Sequence, residues 1–146
     1  MRQEKRKNTT ESEVTQGLLK DYKSIKSELE ETRYRLEHLD DDGAMIGNDV
    51  IFDYSTGQPR PQSVVGYDLK RAEHLKSIYV NRMARLAKQM NMIEEYIDGL
   101  QSSISRRVME MYFIQGMSQK YIANAVHKSQ TKVSNIISAE LSKLEE

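Results

Sequence analysis

Two long stretches with apolar residues spaced alternately three and four apart constrain the fold of this chain most. The first has one polar member and comprises Leu18, Tyr22, Ile25, Leu29, Thr32, Leu36 and Leu39. The second also has one polar member and comprises Leu69, Ala72, Lys76, Tyr79, Met83, Leu86, Met90, Ile93, Ile97 and Leu100. This spacing is typical of helices that pack along a heptad seam. It predicts two long helices, paired either as a hairpin or as a dimerising coiled coil.

The segment between the two seams, residues 40–66, has a different composition. It contains Gly43, Gly47, Gly57, Pro59, Pro61 and Gly66, which interrupt helices. It also carries five aspartates against the single basic residue Arg60. Residues 50–54 could form a short strand, but a lone strand needs a partner to be stable. We therefore predict a long acidic loop, whose role the sequence leaves open.

The pattern predicts an all-α fold with three parts. Residues 1–9 are polar and are predicted to form a disordered tail. Thr10 and Glu13 have the spacing of a capping box, in which each side chain satisfies a free amide of a new helix. Residues 10–100 are predicted to form the two long helices and their loop, for packing or oligomerisation. Residues 101–146 are predicted to form a separate small helical domain.

Composition narrows the possible functions. The chain has no cysteine, which excludes disulfides, thiolate metal sites and cysteine nucleophiles. Its three histidines, His38, His74 and His127, are far apart and lack the spacing of metal ligands. No phosphate loop or catalytic triad motif is present. We therefore expect no metal, no cofactor and no catalytic residues, and hence a protein that is not an enzyme.

The sequence also bears on location. The start of the chain has no apolar core of the kind found in secretory signals. No run approaches the roughly 18 apolar residues of a membrane-spanning helix. We expect a cytoplasmic protein that does not interact with membranes.

The last part of the chain contains regularly placed helix starts. Ser102 or Ser103 can cap a helix whose residues Ile104, Val108, Met111 and Tyr112 share one face, and Gly116 can end it. Ser118 and Ser129 then stand before two further helices. The apolar positions of these two helices predict a helix-turn-helix core of Ile122, Ala123, Val126, Val133 and Ile136. Ala123 is small enough to lie where the two helices cross.

The polar residues of the same stretch suit a nucleic-acid surface. The 22 basic and 22 acidic residues of the whole chain cancel, yet residues 116–138 contain three lysines and no acid. Glutamine and asparagine can pair with adenine edges, threonine with a thymine methyl, and lysine with guanine or phosphate. The residues predicted to contact DNA are Lys120, Lys128, Ser129, Gln130, Thr131, Lys132, Ser134 and Asn135.

The stretch SRRVMEMYFIQGMSQKYIANAVHKSQTKVSNIISAELSKL, residues 105–144, resembles region four of bacterial sigma factors. The whole layout, including the loop ending STGQPRPQSVVGYD, resembles the ArpU/RinA-type phage late-gene transcription regulators. The resemblance implies a regulator in the cytoplasm of a bacterial host that binds double-stranded promoter DNA. It further implies activation of late genes, together with host RNA polymerase, by a homo-oligomer such as a dimer.

Two positions depart from the family pattern. A glycine usually occupies the turn where His127 stands, and an apolar residue usually stands at Lys128. Histidine tolerates the left-handed conformation better than most residues. Lys128 can lay its aliphatic stem over the helix junction and extend its charge outward.

Two other functions remain compatible with the sequence. A small terminase subunit for DNA packaging also joins a helix-turn-helix to oligomerising helices, although it usually places the DNA-binding helices first. A coiled-coil adaptor without a DNA role is the other alternative. The position of the helix-turn-helix after the seams favours regulation.

Overall fold

The computed structural model describes residues 14–39, 52–53, 60–61 and 65–146. The fold is all-α. Its helices are α1 (Gln16–Lys20), α2 (Tyr22–Glu37), α3 (Val65–Asp98), α4 (Ser103–Met109), α5 (Gln119–Val126) and α6 (Gln130–Ser142). A π-helical segment, Glu110–Ile114, directly follows α4. Across the described residues, no helix combines the length and the apolar character needed to span a membrane.

The first seam begins at a capped helix start. The Thr15 hydroxyl accepts a hydrogen bond from the Leu18 amide at 3.1 Å, and α1 begins one residue after this cap. The predicted tail and the capping box at Thr10 and Glu13 lie outside the described residues. The polar seam residue Thr32 is only 1% exposed, and its hydroxyl donates to the Glu28 carbonyl at 2.7 Å. This bond within the helix lets a polar side chain occupy the seam without an unsatisfied group.

The second seam lies on one uninterrupted helix of 34 residues, as the absence of proline and glycine from residues 67–98 predicts. Tyr79, Leu86, Ile93 and Ile97 are buried along it. Leu69, at the start of the seam, is 54% exposed. From Tyr79 onward the seam residues are therefore buried or half-buried, whereas Leu69 at its start is exposed.

The predicted loop between the seams contains a short antiparallel ladder. Strand β1 (Phe52–Asp53) pairs with strand β2 (Arg60–Pro61), with Phe52 opposite Pro61 and Asp53 opposite Arg60. The sequence suggested a short strand here but no partner for it, and Arg60 and Pro61, later in the same segment, supply that partner. Most of the remaining loop lies outside the described residues.

The chain divides into two compact units. The first unit contains the residues up to Ser27 and those from Ala87 onward, and the second contains Glu28–Leu86. This division falls at residues 28 and 86, and the domain boundary predicted after residue 100 stays a prediction. Heptad spacing specifies which face of a helix is buried but not what covers it, so it could not reveal this division.

Hydrogen bonds explain why both ends of the described chain belong to the first unit. The Gln16 amide donates to the Glu145 carbonyl at 2.8 Å, and the Gln16 side chain donates to the Leu141 carbonyl at 2.8 Å. The Tyr22 hydroxyl donates to a carboxylate oxygen of Glu94 at 3.1 Å. In the second unit, the Arg82 guanidinium lies 4.0 Å from the Glu28 carboxylate. Each unit thus contains a direct contact between α2 and α3.

The Tyr22–Glu94 contact predicts a loss of stability at high pH. Burial, with the hydrogen bond and charge of Glu94, raises the pKa of Tyr22 to about 12. In the unfolded chain the phenol has a pKa of about 10, so the unfolded state loses this proton first. The stabilisation is complete below about pH 10 and is lost between about pH 10 and 12, by roughly 1 kcal/mol per pH unit. In urea unfolding at several pH values, the free energy of unfolding should decline less steeply with pH for Tyr22→Phe than for the wild-type chain. Equal slopes for the two proteins would contradict this prediction.

Candidate nucleic-acid interface

Serine caps fix the starts of the last three helices. The Ser102 hydroxyl accepts from the Ser105 amide at 3.3 Å, which settles the choice between Ser102 and Ser103. The Ser118 hydroxyl accepts from the Tyr121 amide at 3.2 Å, and the Ser129 hydroxyl accepts from the Lys132 amide at 3.1 Å. Each cap satisfies an amide that the helix cannot pair internally, as the sequence predicted.

The turn between α5 and α6 consists of residues 127–129 and begins at a left-handed residue. His127 has φ 56° and ψ 44° and is the only non-glycine residue with positive φ among those described. The Lys128 amide donates to the Ala123 carbonyl at 3.0 Å, which closes the end of α5 in the manner of a Schellman motif. His127 thus adopts the backbone conformation that glycine favours in such a turn.

Replacing His127 with glycine is expected to stabilise the first unit. The left-handed conformation costs a residue with a Cβ atom roughly 1 kcal/mol, part of which glycine regains despite its greater freedom in the unfolded chain. We expect a free energy of unfolding higher by about 0.5 kcal/mol. Ala125→Gly, within α5, is the matched control and should cost about 1 kcal/mol. Denaturant unfolding measures both, and destabilisation by His127→Gly would contradict the expected strain.

The two helices rest on a continuous apolar core. All five residues predicted for the helix-turn-helix core are buried, namely Ile122, Ala123, Val126, Val133 and Ile136. Ile137 is buried with them, and Ile122 and Val133 are completely inaccessible to solvent. α5 and α6 pack against each other, and both contact α4. This core fixes which side chains of α6 face outward.

The π-helical segment after α4 alters the predicted buried face. The Gln115 amide donates to the Glu110 carbonyl at 3.0 Å, five residues back, and Gly116 ends the segment with φ 70°. Met109 and Phe113 are buried, whereas Met111 and Tyr112 of the predicted face are half-buried. The wider helical turn changes which residues face inward, and a constant period of 3.6 residues could not foresee that.

Most of the predicted DNA-contacting side chains are solvent-exposed. Seven are exposed and Ser134 is half-buried; the exposed ones are Lys120, Lys128, Ser129, Gln130, Thr131, Lys132 and Asn135. Gln130, Thr131, Ser134 and Asn135 line a shallow depression of about 330 Å³ together with Gln119. The three lysines and Ser129 lie outside the lining of this depression. The structure therefore brings four predicted residues together.

One further residue joins this surface, and an arginine of α4 contacts the end of α5. Gln119 lies in the depression, and its position directly after the Ser118 cap was the sequence signal that could have identified it. Arg107, on α4, is exposed, and its guanidinium donates to the Ala125 carbonyl at 3.4 Å near the end of α5. Neither was predicted: Arg107 precedes the helix-turn-helix, and the spacing of Gln119 does not show that the fold brings it beside Gln130 and Asn135.

The exposed surface of α6 carries no negative charge before residue 140. Glu140 is the first acid after Glu110, and it is buried at 6% exposure. The Lys143 ammonium lies 3.1 Å from one of its carboxylate oxygens. Burial raises the pKa of the nearby Tyr96 phenol; the Glu140 charge adds to this shift and Lys143 opposes it. Because Glu140 is buried in the first unit, it adds no negative charge to the exposed surface of α6.

The described residues show no group of three His, Cys, Asp or Glu side chains placed to hold a metal ion. No protein-family profile, curated protein or solved structure matches this chain.

Proposed function

We propose that this protein is a sequence-specific duplex-DNA-binding transcription regulator whose helix α6 enters the major groove. The observation that supports this most is the exposed, acid-free face of α6, with Gln130, Thr131 and Asn135 beside Gln119 above a solvent-free core. A major groove admits one α-helix, and amide side chains at its surface can pair with adenine in two hydrogen bonds.

The side chains divide into two roles. Gln130, Thr131 and Asn135 contact base edges and so determine sequence preference. Lys120, Lys128 and Lys132 contact phosphates and supply affinity for any duplex. Ser129 positions α6 through its cap to the Lys132 amide, so its hydroxyl acts mainly within the protein.

The regulatory part of the proposal rests on the resemblance to phage late-gene regulators. The protein binds promoter DNA upstream of the start site as a homodimer, in the cytoplasm of a bacterial host. It activates transcription with host RNA polymerase and has no enzymatic activity of its own. The seams on α2 and α3 set the dimer geometry or contact polymerase. The chain has two phenylalanines, eight tyrosines and no tryptophan, and its two seams leave no obvious separate module for opening promoter DNA.

Two experiments test this function. Selection of bound duplexes from a random pool should return a single recurring motif. Transcription from a promoter carrying that motif should then increase only when core polymerase, a host sigma factor and this protein are all present. Open complexes formed by core polymerase and this protein alone would contradict the proposed role.

The same preparations discriminate between the alternatives. A ring-forming stoichiometry in light scattering would favour a DNA-packaging subunit over a regulator. Absence of any duplex binding at low salt would favour a coiled-coil adaptor. A dimer that selects a motif would agree with the proposed function.

A further inference from the structure

A second basic surface lies on α3 within the second unit. Between Leu69 and Leu86 this helix has one acid, Glu73, and five lysines or arginines. A subset of its polar side chains is spaced by three and four residues, comprising Lys70, His74, Ser77, Asn81 and Arg85. We name this set the α3 ridge. Such spacing places all five on one face of a helix.

The α3 ridge is directed to solvent. All five of its side chains are exposed, whereas Tyr79 and Leu86 are buried on another face of the same helix. Among the described residues, no carboxylate lies within ion-pairing distance of Lys70 or Arg85, while Arg82, off the ridge, approaches Glu28 at 4.0 Å. Within the described part of the chain, Lys70 and Arg85 are therefore exposed cations without a salt bridge.

The length and composition of the ridge fit a phosphate backbone. Lys70 and Arg85 are 15 residues apart, which corresponds to about 22 Å along a helix. Duplex DNA presents a regular line of phosphates over that length, spaced about 3.4 Å per strand along its axis. The ridge positions carry only cations, a histidine, a hydroxyl and an amide, which are the groups that contact phosphates.

We infer that the α3 ridge binds the phosphate backbone of duplex DNA without sequence preference. This inference extends the proposed function, because it gives the same ligand a second contact outside α5 and α6. It does not require that α6 recognise a sequence. The second unit then contributes affinity to any duplex, while the choice of site is left to Gln130 and Asn135.

The test compares the wild-type chain with the double variant Lys70→Gln/Arg85→Gln on a 30-base-pair duplex of arbitrary sequence. Each lost phosphate contact should reduce the slope of log affinity against log salt by about 0.9, so the variant should lose about 1.8 and bind roughly tenfold or more weakly at 0.1 M salt. The matched control is Arg33→Gln/Arg35→Gln, which removes the same charge from exposed positions on α2 in the same unit. This control should keep the slope of the wild-type chain.

The outcomes separate the ridge from the helix-turn-helix. Equal slopes for the ridge variant and the α2 control would overturn the inference and leave the proposed function intact. A change in oligomeric state without a change in slope would overturn it in favour of self-association. The ridge substitutions are also placed in the Gln130→Ala/Asn135→Ala background. A wild-type chain without sequence preference would contradict the proposed function. If the ridge substitutions still reduce the salt slope, both in the wild-type chain and in the Gln130→Ala/Asn135→Ala variant, the ridge contact is supported independently.

Discussion

Replacing Ile122 with alanine is expected to lower the free energy of unfolding by about 2–5 kcal/mol. Ile122 lies on α5, is completely inaccessible to solvent, and belongs to the core that joins α5 to α6. Alanine removes three carbon atoms and leaves a cavity that rigid neighbouring helices can fill only in part. A loss of this size is a large share of the roughly 5–15 kcal/mol that stabilises a typical domain.

The control for this prediction is the same replacement at a surface position. Ile78→Ala removes the same atoms from a side chain that is 36% exposed, so it should cost about 1 kcal/mol or less. Urea unfolding followed by circular dichroism measures both variants. Similar costs at the two positions would mean that Ile122 does not lie in a rigid core. Duplex binding should weaken with Ile122→Ala because less of the protein is folded.

The second large effect is expected at the DNA surface. Gln130→Ala and Asn135→Ala should each cost about 1–3 kcal/mol of binding free energy at the selected motif, if each amide pairs with a base. Binding to an unrelated duplex should change little, so the ratio between motif and unrelated duplex should fall by about tenfold or more for each. The two residues line the same depression, so the double variant need not show the sum of the single effects.

Substitutions of lysine supply the contrast. Lys120→Ala and Lys128→Ala should weaken binding to the motif and to an unrelated duplex equally, and should reduce the salt dependence by about 0.9 for each lost contact. Fluorescence anisotropy titrations at several salt concentrations measure the affinity of each variant for the motif and for the unrelated duplex, together with the salt dependence. If the amide and lysine variants weaken all sequences alike, α6 does not contact base edges.

Local chemistry made much of this surface predictable. Ser118 and Ser129 are followed by apolar residues at helical spacing, and the structure places caps and buried residues accordingly. His127 lies between the two helices, and its left-handed conformation ends α5. Each of these features depends on a few neighbouring residues. Once the apolar positions of α6 are assigned to the core, its remaining side chains must face solvent, so the exposure of the predicted contact residues was predictable too.

Features that depend on distant parts of the chain were not predictable in the same way. Leu19 and Ile93 are completely buried in the first unit, but their spacing shows only that they face some partner. The π-helical segment that begins at Glu110 has a wider turn than an α-helix, and the helix propensities of its residues do not predict it. The pairing of Asp53 with Arg60 joins a strand that the sequence suggested to a two-residue partner, Arg60–Pro61, that carries no strand signal.

The bonds from Gln16 to Leu141 and Glu145 have a consequence for the order of folding. In chain terms, the second unit is an insertion within the first, since residues 28–86 separate the two parts that must meet. A ribosome releases residue 16 long before residue 145. During that interval Leu19, which is buried in the folded chain, is exposed to solvent. The first unit therefore cannot be completed until the second unit and α6 have both been synthesised. The nascent chain exposes an apolar surface throughout that interval, and chaperones that bind such surfaces have time to reach it.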